Sequence, residues 1–208
     1  MNTRDIEVKL PKNVDLKWIY AQHKKMFYKF MELEGIPDWK NYNFSIDTAA
    51  DQSIFKDVIQ IRFIEELTEA TTAGTVLDHF EEEIIDSFNF LLSSLVALDK
   101  ELDELPAWKD KRRNKFKLWW ILRYRRNKLN AETYKVVEKV GLLTNLLKSR
   151  PWAQNQLLVD SLLFNRRLND LWKQFNHYIN WLGIDLATLY RLWYQKSQIN
   201  YFRLKTGY

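Results

Sequence analysis

Two short stretches of this chain put carboxylates where carboxylates are expensive. In RFIEELTEA, Glu66 and Glu69 stand three residues apart among Ile61, Phe63, Ile64 and Leu67. In EEEIIDSFNFLLSSLVAL, Glu83 and Asp86 repeat the spacing, and the polar stripe continues through Asn89 to Ser93 between apolar neighbours such as Ile85, Phe88 and Leu92. Residues three apart share a helix face. A carboxylate set in an apolar helix is partly buried, and must be protonated, ion-paired or bound to a metal. Two such pairs on facing antiparallel helices would gather four carboxylates. A hard divalent cation relieves their repulsion, and Mg²⁺ takes carboxylate and substrate phosphate oxygens together, at about 2.0–2.1 Å. The plainer alternative is a set of solvated or ion-paired helix faces. The flanking Glu65, Glu81 and Glu82 are expected at the surface.

The segment YQKSQINYFRLKTGY supplies the opposite charge. Lys196, Asn200 and Arg203 follow one another at intervals of four and three, so they share a helix face, and Tyr208 follows. Two cations and an amide on one face suit an anionic ligand. If the four acids hold magnesium and magnesium holds phosphates, this face would clamp the far end of the phosphate chain. Taken alone, it is a solvated helix end.

The elements that must position these groups read as helices throughout. Gly 5 and Pro 4 are few among 208 residues, and no alternating strand pattern competes. The spacing predicts a helix over 16–34, with Ile19, Met26, Phe27 and Phe30 as its apolar stripe and GIP at 35–37 as its stop. A loop around DWKNYNF precedes a second helix, capped by Asp47 or Ser53, which runs through FKDVIQIRFIEELTEA to the break at TTAG. A third is expected from about 76 to 103, ended by Pro106. Asn130 is a candidate cap for AETYKVVEKVGLLTNLLKS, Pro151 opens a helix that ends near WLG, and Asp185 caps the last one. The expectation is a single all-α domain over 1–208, a helical bundle, with 99–180 as a helical insertion.

Composition bounds the rest. The absence of cysteine excludes a disulfide framework, a thiolate zinc site and a cysteine nucleophile. The polar start MNTRDIEVKLPKN lacks the apolar core of a signal peptide, and no apolar run reaches about 18 residues, so no membrane span is expected. Of the net charge of +5, residues 107–130 carry +9, with ten Lys/Arg against Asp110 alone, leaving −4 elsewhere.

The acidic and basic motifs together resemble the all-α nucleotide pyrophosphatase superfamily, and within it the dimeric dUTPases and phage dCTPase/dUTPase enzymes. EEIIDSFNFLLSS is similar to that family's E-[IL]-[IV]-D-x-x-H-F-x-[IL]-S segment. The terminal residues are similar to its K-N-x-x-N-x-x-R-Q-x-x-G-Y run, with Lys196, Asn200, Arg203, Gly207 and Tyr208 in register. The resemblance spans residues 16–34, 57–98 and 181–208, under half of the chain. It implies that Glu66, Glu69, Glu83 and Asp86 ligate Mg²⁺, with Mn²⁺ as a substitute. It implies that Lys196, Arg203 and Tyr208 contact phosphates and that Asn200 orients them or touches the sugar. Gln22, Asn89 and Phe90 would read the base. The implied activity is Mg²⁺-dependent hydrolysis of a deoxypyrimidine triphosphate, dUTP first, to the monophosphate and pyrophosphate, with Glu66 or Glu69 taking the proton. The alternatives are a dCTP, modified-nucleotide or broader diphosphatase, and a non-enzymatic helical nucleic-acid-binding or regulatory protein that keeps the acidic cluster. A homodimer in the cytoplasm of a bacterial or phage-infected cell, with a small nucleotide as partner and no membrane, completes the expectation. The chain departs from the family at Asn89, where His is usual, at Ser197 for Asn and at Leu204 for Gln. It also lacks the usual Trp-Lys-rich segment between the acidic motifs, and the asparagine one turn after Gln22.

Within the insertion, FKLWWILRYRR mixes Trp119, Trp120 and Tyr124 with Lys115, Lys117, Arg123, Arg125 and Arg126. The plainest expectation is an amphipathic helix that packs its rings inward and exposes its charges. An active-site lid or dimer contact comes second. Single-stranded nucleic acid, whose phosphates pair with cations while its bases stack on rings, is the least favoured. LLVDSLLFNRRLNDLW reads as a packing helix, with Asp160 and Asp170 as partners for Arg166 and Arg167.

Overall fold

A computed structural model describes residues 8, 15–33, 42, 44–73, 76–110, 114–147 and 158–206. Among them are eight α-helices and no strand: α1 (Leu16–Leu33), α2 (Ala49–Lys56), α3 (Phe63–Thr72), α4 (Leu77–Ala97), α5 (Lys115–Tyr124), α6 (Arg126–Thr144), α7 (Ser161–Leu182) and α8 (Leu186–Thr206). The protein is all-α. The GIP stop, the Pro151 helix start, Gly207 and Tyr208 lie outside the described residues. No helix among the described residues is long and apolar enough to cross a membrane.

Helices α2 and α3 form one rod, joined by a π-helical stretch over Asp57–Arg62. Its start is capped by neither Asp47 nor Ser53. Thr48 takes that place, with Oγ1 accepting the Asp51 N–H at 3.2 Å. Asp47 instead accepts the Val159 N–H at 3.3 Å, and the Ser53 hydroxyl donates back to the Ala49 carbonyl at 2.9 Å, inside the helix. Asp51 is buried and accepts from the Tyr42 hydroxyl at 2.6 Å, the Ser45 N–H at 2.9 Å and the Thr48 hydroxyl at 2.8 Å.

Helix α4 ends at Ala97, six residues short of the expected 103. Asp99 turns left-handed at φ 49°, its N–H bonds Val96 O at 3.1 Å, and the Lys100 N–H bonds Leu95 O at 2.9 Å. That paired closure satisfies carbonyls that a longer helix would have used. Asn130 is no cap, because α6 starts at Arg126, with Arg125 alone between it and α5. Asp185 does cap α8, accepting the Thr188 N–H at 2.9 Å. Asp160 caps α7 at 2.9 Å, and Arg167 pairs with Asp170 at 3.8 Å.

Helix α4 lies at the centre, against α1, α3, α5 and α8, while α6 and α7 pack on each other and α6 also meets α3. One hydrophobic core runs through both halves of the sequence. Phe175 of α7 stacks on Phe88 at 6.2 Å and meets Phe63 at 5.5 Å, which ties residues 99–180 into the layer that carries the acids. A corner of that layer depends on Gly183, at φ 80°. Its carbonyl accepts the Asn114 N–H at 2.9 Å, and a Cβ there would stand 3.0 Å from the Asn114 carbonyl.

Candidate active site

Glu66 sits on α3 and Glu83 and Asp86 on α4, the two helices packed side by side. One carboxylate oxygen from each lies within 4.8 Å of the others. The packing that creates this cluster is apolar: α3 and α4 lie against each other, with Phe63, Leu67 and Ala70 of α3 and Ile84, Phe88 and Leu91 of α4 buried in the same core. Glu66 borders that buried face. Glu69, expected as a fourth ligand, is exposed and is not part of the triad. Glu81, expected at the surface, is buried, with its Oε2 3.9 Å from the Arg191 guanidinium.

Like charges this close perturb one another. Burial, a hydrogen bond to Glu83 and the charges of Asp86, Glu83 and Glu69 push Glu66 up to about 8. At neutral pH Glu66 therefore keeps its proton. Glu83 is also 3.0 Å from His79 Nδ1. Asp86 has a different partner, Lys196 of α8, with Nζ 2.6 Å from Oδ2 and both side chains mostly buried. Burial and the charge of Glu83 leave the Asp86 carboxyl raised, although Lys196 lowers it. Burial alone would lower the Lys196 ammonium, but Asp86 leaves it raised. The short contact is that of a charged pair, so we take Asp86 as ionised and Lys196 as its counter-ion.

Beside the triad opens a pocket of about 330 Å³ between α1, α4 and α8. Glu66 and Asp86 line it on the acidic side, with Lys196, Asn200 and Arg203 on the basic side. Arg203 is exposed at the rim and Asn200 half-buried. The third wall, from α1 and α4, is aromatic and amide-bearing, with Phe27, Phe30, Asn89 and Phe90. Gln22 does not line the pocket, but its neighbour His23 does. No described residue of 99–180 lines it.

Two groups in this wall have hydrogen-bonding capacity left over. Asn89 Nδ2 donates towards Asp86 at 3.5 Å, while its buried Oδ1 has no partner. His23 is buried, and burial pushes it down to about 3, so the ring is neutral at pH 7. Its Nδ1 accepts from Trp193 Nε1 at 3.3 Å, which leaves the proton on Nε2 to donate to Ser93 Oγ at 3.0 Å. The Ser93 hydroxyl hydrogen is then free to donate. Asn89 and Ser93 are one helical turn apart, so an acceptor and a donor stand side by side in the wall.

His23 escaped the sequence reading although a signal existed. It falls on the stripe of Ile19, Met26, Phe27 and Phe30 at helical spacing, the one imidazole on an apolar face. The hydrogen bond from Trp193, 170 residues away, left no such trace. No protein family, curated protein or solved structure matches this chain.

Proposed function

We propose that this protein is a Mg²⁺-dependent nucleotide diphosphatase that cleaves a deoxypyrimidine triphosphate, dUTP foremost, to the monophosphate and pyrophosphate. The observation that carries the reading is a three-carboxylate cluster, two of whose members, Glu66 and Asp86, line one pocket together with the Lys196–Asn200–Arg203 face. Three hard oxygen donors within 4.8 Å of one another, one of them, Glu66, made to hold a proton by burial and by its neighbours, fit a divalent cation. Glu66, Glu83 and Asp86 would hold it. Such a cation supplies positive charge to the phosphate oxygens and acidifies a water molecule.

The chain's own residues do the rest. Arg203 and Asn200 bind the phosphate chain at the open end of the pocket. Lys196 reaches both the acids and the pocket, and so sets the distance between the phosphates and the carboxylates. Glu66 would accept the proton from an attacking water only once it has given up the proton it holds in the free protein, as it must when its carboxylate holds the cation. Phe27, Phe30 and Phe90 give the base an apolar slot and exclude water. Asn89 Oδ1 and the Ser93 hydroxyl then meet the adjacent donor and acceptor on a pyrimidine edge. Uracil offers N3–H beside O4, and cytosine offers its amino group beside N3, so the same wall makes dCTP the second reading. The homodimer and the cytoplasmic location belong to this proposal and rest on the resemblance alone.

The test is pyrophosphate release from dUTP, dCTP, dTTP, dATP and dGTP, with Mg²⁺ and with EDTA. Magnesium-dependent release from a pyrimidine nucleotide, reduced at least about a hundredfold by Glu66→Gln, is the expected result. Absence of release from all five would overturn the proposal.

A further inference from the structure

Helix α5 carries two apolar stripes, and the structure buries only one. Leu118, Ile121 and Leu122 are 2–5% exposed and belong to the core. The rings face the other way: Phe116 is 71% exposed, Trp119 43%, Trp120 37% and Tyr124 62%. This reverses the expectation that the rings pack inward. They are not scattered singly. Phe116 and Trp119 have centroids 5.8 Å apart, Trp119 and Tyr124 5.9 Å apart, and the Arg125 guanidinium lies 4.6 Å over the Trp120 ring. The result is a continuous aromatic strip with a cation stacked beside it. Arg123, Arg125 and Lys128 are exposed around it, and the sequence holds no acid between Asp110 and Glu132.

We infer that this face binds single-stranded nucleic acid. Exposed rings offer π-faces on which successive unpaired bases stack, and the flanking cations pair with the intervening phosphates. Charge argues against a second copy of this chain across a two-fold axis, because the same cations would meet each other. A lipid surface fits less well, because the cations stand among the rings, with Arg125 stacked on Trp120, and not on a polar face of their own, and the vesicle probe separates the two. A duplex keeps its bases stacked on one another and has no use for the rings. The site lies outside the pocket of the proposed active site and needs none of its residues.

The experiment measures binding of fluorescently labelled dT20 and rU20 to the full chain by anisotropy in EDTA, so that nucleotide hydrolysis plays no part. A duplex of the same length and vesicles of phosphatidylserine with phosphatidylcholine serve as competing probes, and sedimentation gives the oligomeric state. Expected is binding of the single strands in preference to the duplex, weakened about tenfold or more by each of Trp119→Ala and Tyr124→Ala. Arg123→Gln with Arg125→Gln should flatten the slope of log affinity against log salt by about 1.4, at roughly 0.7 per phosphate contact. All four side chains are exposed, so the fold is retained, and circular dichroism checks it. The inference is overturned by equal affinity for the duplex, by single-strand binding that survives both ring substitutions, or by binding to vesicles alone. It is also overturned by a dimer that dissociates on ring removal while no oligonucleotide binds.

Discussion

Replacing Glu66 by Gln should stabilise the metal-free protein at alkaline pH. Glu66 has its folded pKa raised from 4.5 to about 8 by burial, by the shared hydrogen bond with Glu83 and by neighbouring charge. The folded state therefore keeps a proton that the unfolded chain has released. This group's stabilising contribution is complete below pH 4.5 and declines as pH rises to about 8, beyond which it is flat. The full shift would correspond to nearly 5 kcal/mol, at about 1.4 kcal/mol per unit. Glu66 is only partly buried, so solvent screening reduces this to about 2 kcal/mol. Gln cannot ionise, and its amide can still donate to Glu83. Urea unfolding at pH 5, 7 and 8.5 measures the effect. With a slope of about 3 kcal/mol per molar, the variant's midpoint should exceed the wild type's by about 0.7 M at pH 8.5 and match it near pH 5. Added Mg²⁺ should erase the wild type's alkaline loss, because a cation relieves the repulsion that the proton relieves at lower pH. A variant less stable than wild type at pH 8.5, or a gap that does not change with pH, would refute the reasoning that three like charges compete there.

Lys196→Met should cost about 3 kcal/mol at pH 7, because it strands the buried Asp86 carboxylate. The loss should shrink on acidification as Asp86 takes up a proton, and urea unfolding at pH 7 and 5 separates the two conditions. Gly183→Ala should cost about 1–2 kcal/mol from the left-handed backbone alone, with a further penalty where the new Cβ meets the Asn114 carbonyl. Calorimetry should show a fall of about 3–6 °C in Tm for a chain of this size. Thr48→Ala should cost about 1–2 kcal/mol, because it removes both the cap of α2 and one of the donors to buried Asp51. Hydrogen exchange at the first turn of α2 should rise with it.

The sequence by itself determined that the chain is helical, with few breakers and apolar residues recurring at 3.6, and which residue types could gather for chemistry. Those properties are local, since spacings of three and four bring side chains to one helix face wherever the helix sits. It could not say how each helix is rotated about its axis. Glu66 and Glu69 look alike in RFIEELTEA because Ile61 and Ile64 blur the apolar face. Packing buries Phe63, Leu67 and Ala70 and leaves Ile61 exposed. At about 100° per residue, Glu66 lies roughly 65° from the middle of that face and Glu69 roughly 125° away. One therefore reaches the acidic cluster and the other faces water. Helix α5 posed the same ambiguity, since Phe116, Trp119, Trp120 and Tyr124 repeat at helical spacing as regularly as Leu118, Ile121 and Leu122. Periodicity finds a stripe but not its partner, and only the tertiary structure supplied the core that took the aliphatic side and left the rings outside.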